Sequence, residues 1–267
     1  MAMEKTLWKH IQSLKDHAPL VHNISNYVVM NNTANALLAA GASPVMAHAQ
    51  SEVREMVQIA SSLVINIGTL DEYWHQSMLT AAETAQTLGK AWVLDPVGAG
   101  ATPYRNTVLQ ELLQFRPTVI RGNASEIAAL ANTHQSSTKG VDSTVESHTA
   151  IEDAHVLSKA YQAVVCISGA TDIIIDEQRT FYISNGHPLM GKVTGLGCTA
   201  SALVAAMLGV VEDKTEATVA AMALLGVAGE LAEQQSKGPG SLQVNLLDKL
   251  YSMTDNEFYA YIKCTPQ

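Results

Sequence analysis

The chain alternates short apolar runs with longer stretches whose apolar residues recur at helical spacing. The apolar runs are Val45–Met46, Leu63–Ile67, Ala91–Leu94, Thr118–Ile120 and Ala163–Ile167. A strand that is apolar throughout is buried on both faces, as in a parallel sheet covered by helices on each side. The alternation therefore predicts an α/β fold of strand–helix units around a mostly parallel sheet.

The remaining segments complete this prediction. An amphipathic helix opens the chain, and helical spacing predicts further helices over 32–40, 50–60, 72–89, 104–115, 124–132, 149–161, 197–210, 214–236 and 241–253. The runs 173–175 and 179–183, joined by a polar turn, favour an antiparallel hairpin that makes one end of the sheet mixed. No linker, low-complexity tract or repeat divides the 267 residues, so we expect a single domain over 1–267.

The composition excludes several classes of function. Charged residues make up 15% of the chain and apolar residues 47%, and this scarcity of charge favours an oligomer. The net charge of −9 and the absence of a basic cluster argue against nucleic-acid binding. The start of the chain lacks a signal-peptide core, and the longest apolar run, Ala202–Val211, is shorter than the roughly 20 residues that span a bilayer. We therefore expect a cytoplasmic protein with no membrane partner.

Two glycines and a thiol stand at the start of a long apolar helix, in the segment Thr194-Gly195-Leu196-Gly197-Cys198. Glycines allow ligand oxygens to approach the backbone, and the first N–H groups of a helix have no intrahelical partner. The helix dipole favours an anion there and lowers the pKa of a cysteine. The segment indicates a phosphate site with a candidate base, although a Gly-x-Gly turn before a helix is often only a turn.

Polar residues follow three of the predicted strands, at the sheet edge where α/β proteins bind ligands. Asp95 follows the strand at 91–94, Arg121 and Glu126 follow the strand at 118–120, and Ser168 follows the strand at 163–167. Two carboxylates and an arginine can share a magnesium–phosphate group, and a serine can donate to a phosphate. Each also has a structural interpretation, as a loop or helix cap for the acids and as a turn residue for Ser168.

A polar segment near the N-terminus, with Asn26, and a later one with Met46 and His48 can line a small apolar pocket. A methionine is more often a core residue, and the histidines lack paired metal-ligand spacing, so these residues carry little weight alone. Cys166 lies within a strand and Cys264 near the C-terminus, and we interpret both as structural.

Together these motifs resemble the hydroxyethylthiazole kinase family of the ribokinase-like fold. The resemblance rests on the segment from Asn26 to Met46, on Ile-Asn-Ile-Gly-Thr-Leu at 65–70, on Leu-Asp-Pro-Val-Gly-Ala-Gly at 94–100, on Arg-Gly-Asn-Ala-Ser-Glu-Ile at 121–127 and on Thr-Gly-Leu-Gly-Cys at 194–198. These motifs occur in the right order over nearly the whole chain. They imply a three-layer sandwich with helices on both faces of the sheet.

The resemblance implies transfer of the γ-phosphoryl group of ATP to the alcohol of 4-methyl-5-(2-hydroxyethyl)thiazole, a step in thiamine salvage. It assigns Met46 and Gly195 to the thiazole, with Asn26 and His48 as weaker candidates. It assigns Arg121 and Ser168 to ATP, and the glycine-rich turn adds Gly197. Asp95 and Glu126 fall in the magnesium–phosphate region. The resemblance also implies a homotrimer with the thiazole pocket between subunits.

Cys198 is the expected catalytic residue. Ribokinase-like sugar kinases usually carry aspartate where this chain has Cys198, and the thiazole kinases resemble this chain in having cysteine. A loose phosphoryl-transfer transition state needs mainly positioning and charge neutralisation, so a weak base can suffice. The helix N-terminus lowers the pKa of such a thiol and nearby phosphates raise it, which leaves its role as base open.

Other functions remain open at this stage. Within the fold, the alternatives are a kinase for hydroxymethylpyrimidine or pyridoxal and an ADP-dependent dehydratase of hydrated nicotinamide cofactors. A third alternative is a nucleotide-binding module that catalyses no reaction. A cysteine hydrolase needs a histidine partner for its thiol, and the sequence identifies none.

Overall fold

A computed structural model describes residues 2–139 and 149–267. Within them, nine strands form one sheet in the order β2-β1-β3-β4-β5-β6-β7-β8-β9. The strands are β1 (Leu20–Ile24), β2 (Ser43–Val45), β3 (Ser62–Asn66), β4 (Trp92–Asp95), β5 (Val119–Asn123), β6 (Val164–Ser168), β7 (Asp172–Ile175), β8 (Thr180–Ile183) and β9 (Cys264–Pro266).

The sheet has a parallel and an antiparallel part. All pairings from β2 to β6 are parallel, whereas β7 pairs antiparallel with β6, β8 with β7, and β9 with β8. The predicted α/β architecture and the hairpin at 173–183 are confirmed. The hairpin does not form the edge of the sheet, however, because the C-terminal strand β9 adds outside it.

Helices cover both faces of the sheet, each over its own apolar core. One face carries α1 (Ala2–His17), α2 (Met30–Ala40), α8 (Leu196–Leu208), α9 (Lys214–Glu233), α10 (Pro239–Ser252) and α11 (Asp255–Tyr261). The other carries α3 (Val53–Ile59), α4 (Glu72–Leu88), α5 (Pro103–Leu113), α6 (Ala124–Lys139) and α7 (Ala150–Tyr161). Alternate residues of one strand serve the two cores: Val64 and Val93 face the first, Leu63 and Leu94 the second. This double burial explains the apolar strands.

Local sequence signals set several helix ends. The side chains of Asp71, Thr102 and Asp213 each accept a backbone N–H in the first turn of the helix that follows. Gly41 and Gly89 adopt the left-handed conformation that ends α2 and α4. Such caps satisfy the unpaired groups at helix ends, which fixes where each helix begins and ends.

Some elements differ from the sequence-based expectations. Strand β1 was not expected, because its residues His22 and Asn23 are polar, yet both are fully buried. The strand expected at Val45–Met46 spans Ser43–Val45, so Met46 lies just beyond its end. The short helix α11 and strand β9 were not expected either, although Thr254 and Glu257 form a capping box that marks the start of α11.

Helix α9 is apolar and long enough to cross a membrane by length and composition alone. Its most apolar window is 89% buried inside the protein. Burial of this extent is typical of a core helix rather than of a membrane span.

Candidate active site

The N-terminus of α8 is the centre of the candidate site. Gly195 precedes the helix with φ of +80°, and no side chain caps the first turn. A Cβ on Gly195 would overlap the side chain of Val29, and the positive φ would itself strain a side-chain-bearing residue. The uncapped N–H groups at 196–198 therefore stand available to an anion.

A cavity of about 650 Å³ opens beside this helix end. Its lining includes Arg121, Ser168, Gly195 and Gly197, with the apolar side chain of Met222 among the others. The Arg121 Nε is buried and has no hydrogen-bond partner among the described residues. A half-buried arginine whose buried Nε has no partner, beside an uncapped helix N-terminus, fits a phosphate group.

Close packing links Gly197 to Arg121. A Cβ on Gly197 would lie 2.8 Å from Arg121 Nη1 and 3.3 Å from Nη2. Contacts of that length are shorter than van der Waals packing allows, so glycine lets the guanidinium approach the helix end. Both residues thus contribute to one anion-binding surface.

A buried carboxylate, that of Asp95, lies at the end of β4. Asp95 is 1% exposed, and its Oδ2 accepts hydrogen bonds from Asn66 Nδ2 at 2.7 Å and from Ser201 Oγ at 2.9 Å. Burial raises the pKa of Asp95, and the positive charge of Arg121 opposes that rise. A buried carboxylate that is costly to ionise is stabilised by a further cation, which is a property expected of a metal-binding residue.

Glu126 holds two parts of the site together. Its Oε1 accepts the Gly98 N–H at 3.0 Å, and its Oε2 accepts the Asn123 N–H at 2.8 Å. Asn123 Oδ1 in turn accepts the Glu126 N–H, so the predicted helix cap is present. The Glu126 charge also raises the pKa of Asp95. Glu126 is therefore both a structural cap and the second negative charge at this edge.

The described residues contain no group of three or more His, Cys, Asp or Glu side chains placed to hold a metal ion. Magnesium commonly takes only one or two protein carboxylates and completes its shell with water and phosphate oxygens. The pair formed by Asp95 and Glu126 fits that pattern, since both charges act at one sheet edge.

Cys198 stands in the first turn of α8, half-buried. Asn26 Nδ2 lies 3.5 Å from its Sγ, close enough to donate a weak hydrogen bond. Burial, followed by the charge of Asp95, raises the pKa of the thiol to about 11, and the amides of Asn66 and Asn26 oppose the rise. Burial outweighs the lowering expected at a helix N-terminus, so the thiol is protonated at neutral pH.

Ser168 ends β6 and lines the cavity. Its Oγ donates to the Gly122 carbonyl at 3.2 Å, on the neighbouring strand. Nearby, Asp172 accepts the Gly169 N–H at 3.0 Å, and burial raises the pKa of Asp172 to about 6. Ser168 is therefore the last residue of the strand rather than part of the turn that follows, and it lines the cavity.

The residues expected at the thiazole are less closely assembled. Asn26 follows β1 and contacts Cys198, and Gly195 lines the cavity. Met46 lies half-buried after β2, outside the lining of that cavity. His48 packs its ring against Trp74, with centroids 4.5 Å apart, rather than against the cavity.

Sequence reasoning missed three polar residues of this region. Asn66 and Ser201 hold Asp95, and Asn66 could have been noticed as the polar last residue of an apolar strand. Arg105 donates to three carbonyls of the loops after β3 and β4: Ile67 at 2.6 Å, Val97 at 2.7 Å and Gly68 at 2.8 Å. No motif signals Arg105, because its partners are backbone atoms brought near by the fold.

Comparison with known proteins identifies relatives over nearly the whole chain. A model of the hydroxyethylthiazole kinase family matches residues 11–256. A hydroxyethylthiazole kinase of Syntrophus aciditrophicus is 54% identical over 94% of this chain and 93% of its own length. One of Leptospira biflexa is 54% identical over 93% of each chain.

Solved structures extend the comparison to the fold. The hydroxyethylthiazole kinase protein of Pyrococcus horikoshii superposes with a TM-score of 0.91 at 43% identity, covering 98% of this chain and 99% of its own. A pyridoxal kinase of Staphylococcus aureus in complex with ADP matches at a TM-score of 0.65 and 14% identity, with 93% and 98% covered, and shares the fold alone. By its family model and its relatives above half identity, the chain belongs to the hydroxyethylthiazole kinase family, a family of phosphotransferases.

Proposed function

We propose that the protein transfers the γ-phosphoryl group of ATP to the primary alcohol of 4-methyl-5-(2-hydroxyethyl)thiazole, a step of thiamine salvage. The observation that carries this proposal is the convergence at the N-terminus of α8. An uncapped helix end, the unpartnered Arg121 Nε and the buried Asp95 carboxylate meet around Cys198. Family membership supplies the identity of the acceptor.

We assign ATP to the cavity beside α8. Arg121 supplies positive charge, Ser168 a hydroxyl, and Gly197 an N–H group that no Cβ shields. Apolar residues such as Met222 can contact the nucleotide base. Fixed N–H dipoles and a guanidinium neutralise the charge of the transferring phosphoryl group without reorganising, which is how such sites lower the barrier.

We assign magnesium to Asp95 and Glu126, directly or through water and phosphate. When bound, the ion supplies positive charge to the β- and γ-phosphate oxygens. The contribution of the chain is to hold both carboxylates at one edge. Asn66 and Ser201 orient Asp95, and the N–H groups of Gly98 and Asn123 orient Glu126.

We assign the acceptor alcohol to the space next to Cys198, with Asn26, Met46 and Gly195 around the thiazole. The raised pKa of the thiol keeps it almost wholly protonated at neutral pH. A protonated thiol cannot accept a proton, so Cys198 acts as the base only through its small thiolate fraction. Otherwise Cys198 places the acceptor hydroxyl, and the alcohol proton passes to an oxygen of the transferred phosphoryl group as the O–P bond forms and ADP leaves. His48 remains a weaker candidate.

We further propose that the chain works as a homotrimer of single ribokinase-like domains in the cytoplasm, with the thiazole pocket completed by a neighbouring subunit. Two features support a subunit contact beside the site. Tyr27 and Val28, next to Asn26, are 60% and 64% exposed, and Met46 lies outside the cavity of its own chain. Exposed apolar side chains beside a site are typical of an interface.

The proposal is tested by measuring ADP release with four alcohols: hydroxyethylthiazole, hydroxymethylpyrimidine, pyridoxal and ribose. We expect magnesium-dependent turnover with hydroxyethylthiazole only. Turnover with another alcohol would instead assign the protein to that substrate. Stabilisation by ATP in a thermal-shift assay without turnover of any alcohol would indicate a binding module.

The trimer is tested separately by sedimentation velocity. We expect a species of three subunits that dissociates when Val28 is replaced by Asp. A monomer with full activity would contradict a pocket shared between subunits.

A further inference from the structure

A continuous chain of hydrogen bonds runs from the buried Asp95 carboxylate to the Cys198 sulfur. Asn66 Nδ2 donates to Asp95 Oδ2 at 2.7 Å. Asn26 Nδ2 donates to Asn66 Oδ1 at 2.8 Å and lies 3.5 Å from Cys198 Sγ. Asn66 and Asn26 are 1% and 5% exposed, so water does not compete for these bonds. Two buried amides thus link the end of β4 to the first turn of α8.

The orientation of the Asn66 amide is fixed by a donor that cannot be reversed. The backbone N–H of Gly68 donates to Asn66 Oδ1 at 2.9 Å, and a backbone N–H can only donate. The other end of the Asn66 amide, which faces Asp95, is therefore the NH₂ group. Since Asn66 Oδ1 is an acceptor, Asn26 must present its own NH₂ group to it.

This orientation decides what Asn26 offers to the site. One N–H of Asn26 Nδ2 serves Asn66, which leaves the second for the Cys198 sulfur. Among the described residues Asn26 Oδ1 accepts no hydrogen bond, so it remains for the hydroxyl of a bound alcohol. A Cβ on Gly68 would lie 2.6 Å from Asn26 Nδ2, and glycine there keeps the amide close to its partners.

We propose that Asn66 is a positioning residue for the phosphoryl transfer: its amide holds the Asn26 N–H on the Cys198 sulfur and the Asn26 Oδ1 on the acceptor alcohol. This inference rests on the proposed function. Asn66 touches neither ATP nor the thiazole in this scheme. It acts through Asn26 and Cys198, and separately through Asp95, whose carboxylate it orients.

The test compares Asn66→Ala, Asn26→Ala and the double variant. We expect kcat to fall about 10- to 100-fold in Asn66→Ala, the range that a misplaced reacting group costs. The KM for ATP should change less than kcat, because Asn66 does not line the nucleotide cavity and can affect the nucleotide only through Asp95. The double variant should lose less than the product of the two single losses, since both changes remove the shared contact between Asn66 and Asn26.

A second readout needs no substrate. Iodoacetamide alkylation of Cys198 in the ligand-free protein, followed by peptide mass spectrometry, measures the available thiolate. The amides of Asn66 and Asn26 lower the pKa of this thiol, so their loss should raise it further. We expect alkylation at mildly alkaline pH to slow by about tenfold in Asn66→Ala, equivalent to ~1.4 kcal/mol.

Asn23→Ala is the matched control. Asn23 is a fully buried asparagine on the adjacent strand β1, and its Nδ2 donates to the Val21 carbonyl instead of joining the chain. It should leave both the alkylation of Cys198 and the double-variant coupling unchanged. Should Asn66→Ala fail to fold, Asn66→Ser keeps a hydroxyl for Asp95 but cannot reach Asn26, and the same losses are expected.

Three results would overturn the inference: additive losses in the double variant, unchanged kcat and alkylation in folded Asn66→Ala, or equal alkylation losses in Asn23→Ala. Failure of the proposed function has a different signature. In that case the wild-type protein would not phosphorylate hydroxyethylthiazole, while alkylation of Cys198 would still depend on Asn66.

Discussion

Replacing Gly197 with alanine should weaken ATP binding without weakening the fold. The new Cβ would lie 2.8 Å from Arg121 Nη1, and ordinary contact begins near 3.4 Å, so the guanidinium must move by about 0.6 Å. The arginine is the flexible partner, and Gly197 lies within a regular helix without a positive φ. Alanine in a helix is more favourable than glycine by roughly 0.5–1 kcal/mol, so the ligand-free protein should be at least as stable.

Moving the guanidinium weakens a charge-assisted hydrogen bond to phosphate, worth about 1.5–3 kcal/mol. The Kd for ATP should therefore rise about 10- to 100-fold. At an ATP concentration of about 100 times the wild-type Kd, a 30-fold rise in Kd reduces the stabilisation of the folded protein by ATP from about 3 to about 1 kcal/mol. Chemical denaturation with and without ATP measures this difference.

The matched control is Gly240→Ala. Gly240 occupies the same second position of helix α10, and a Cβ there would meet nothing within 4 Å. It should leave the Kd for ATP unchanged. A Gly197→Ala protein that binds ATP as tightly as the wild type would refute the placement of phosphate between Arg121 and the N-terminus of α8.

Two further predictions concern stability. Arg105→Met removes three hydrogen bonds to loop carbonyls and should lower the free energy of unfolding by about 3 kcal/mol; kcat should fall as well. The control Arg54→Met breaks an exposed ion pair and should change the free energy of unfolding by less than about 0.5 kcal/mol. Equal effects in urea denaturation would contradict the bracing role of Arg105. Because burial raises the pKa of Asp172 from 3.8 to about 6, the wild type is stabilised below pH 3.8 and loses that stability as the pH rises through 6. Asp172→Asn should therefore be more stable than the wild type by about 3 kcal/mol at pH 8 and close to it below pH 3.8, and a pH-independent difference would disprove the assignment.

The strands that the sequence predicted well are those buried on both faces by apolar side chains. Strands β3 and β6 each contain an unbroken apolar run, Leu63–Ile65 and Val164–Ile167, which distinguishes them from helices with a polar face. Strand β1 escaped prediction because buried polar residues interrupt its pattern. His22 Nε2 donates to the Ala47 carbonyl at 2.7 Å, and Asn23 Nδ2 donates to the Val21 carbonyl at 2.9 Å. Partners supplied by the fold make such burial possible, and no window of sequence contains that information.

Some features of the candidate site could likewise be predicted from the sequence, and others could not. Asp95 and Ser168 could be placed at the sheet edge because each ends a recognisable strand, and the glycines before α8 indicated an anion site. The pKa of Cys198 could not be predicted, because the helix end lowers it while burial raises it, and only the tertiary structure gives the balance. The roles assigned to these residues remain predictions for the experiments above.

The sequence by itself determined the α/β class, the sheet edge at which we expect ligands to bind and the resemblance to thiazole kinases, because these depend on residue types and spacing along the chain. Only the tertiary structure decided which polar groups meet. Asn66 and Asp95 are 29 positions apart yet hydrogen-bonded, and Asn26 and Cys198 are 172 positions apart yet in contact. Hydrogen bonding and desolvation depend on distances in space, which the order of residues does not contain.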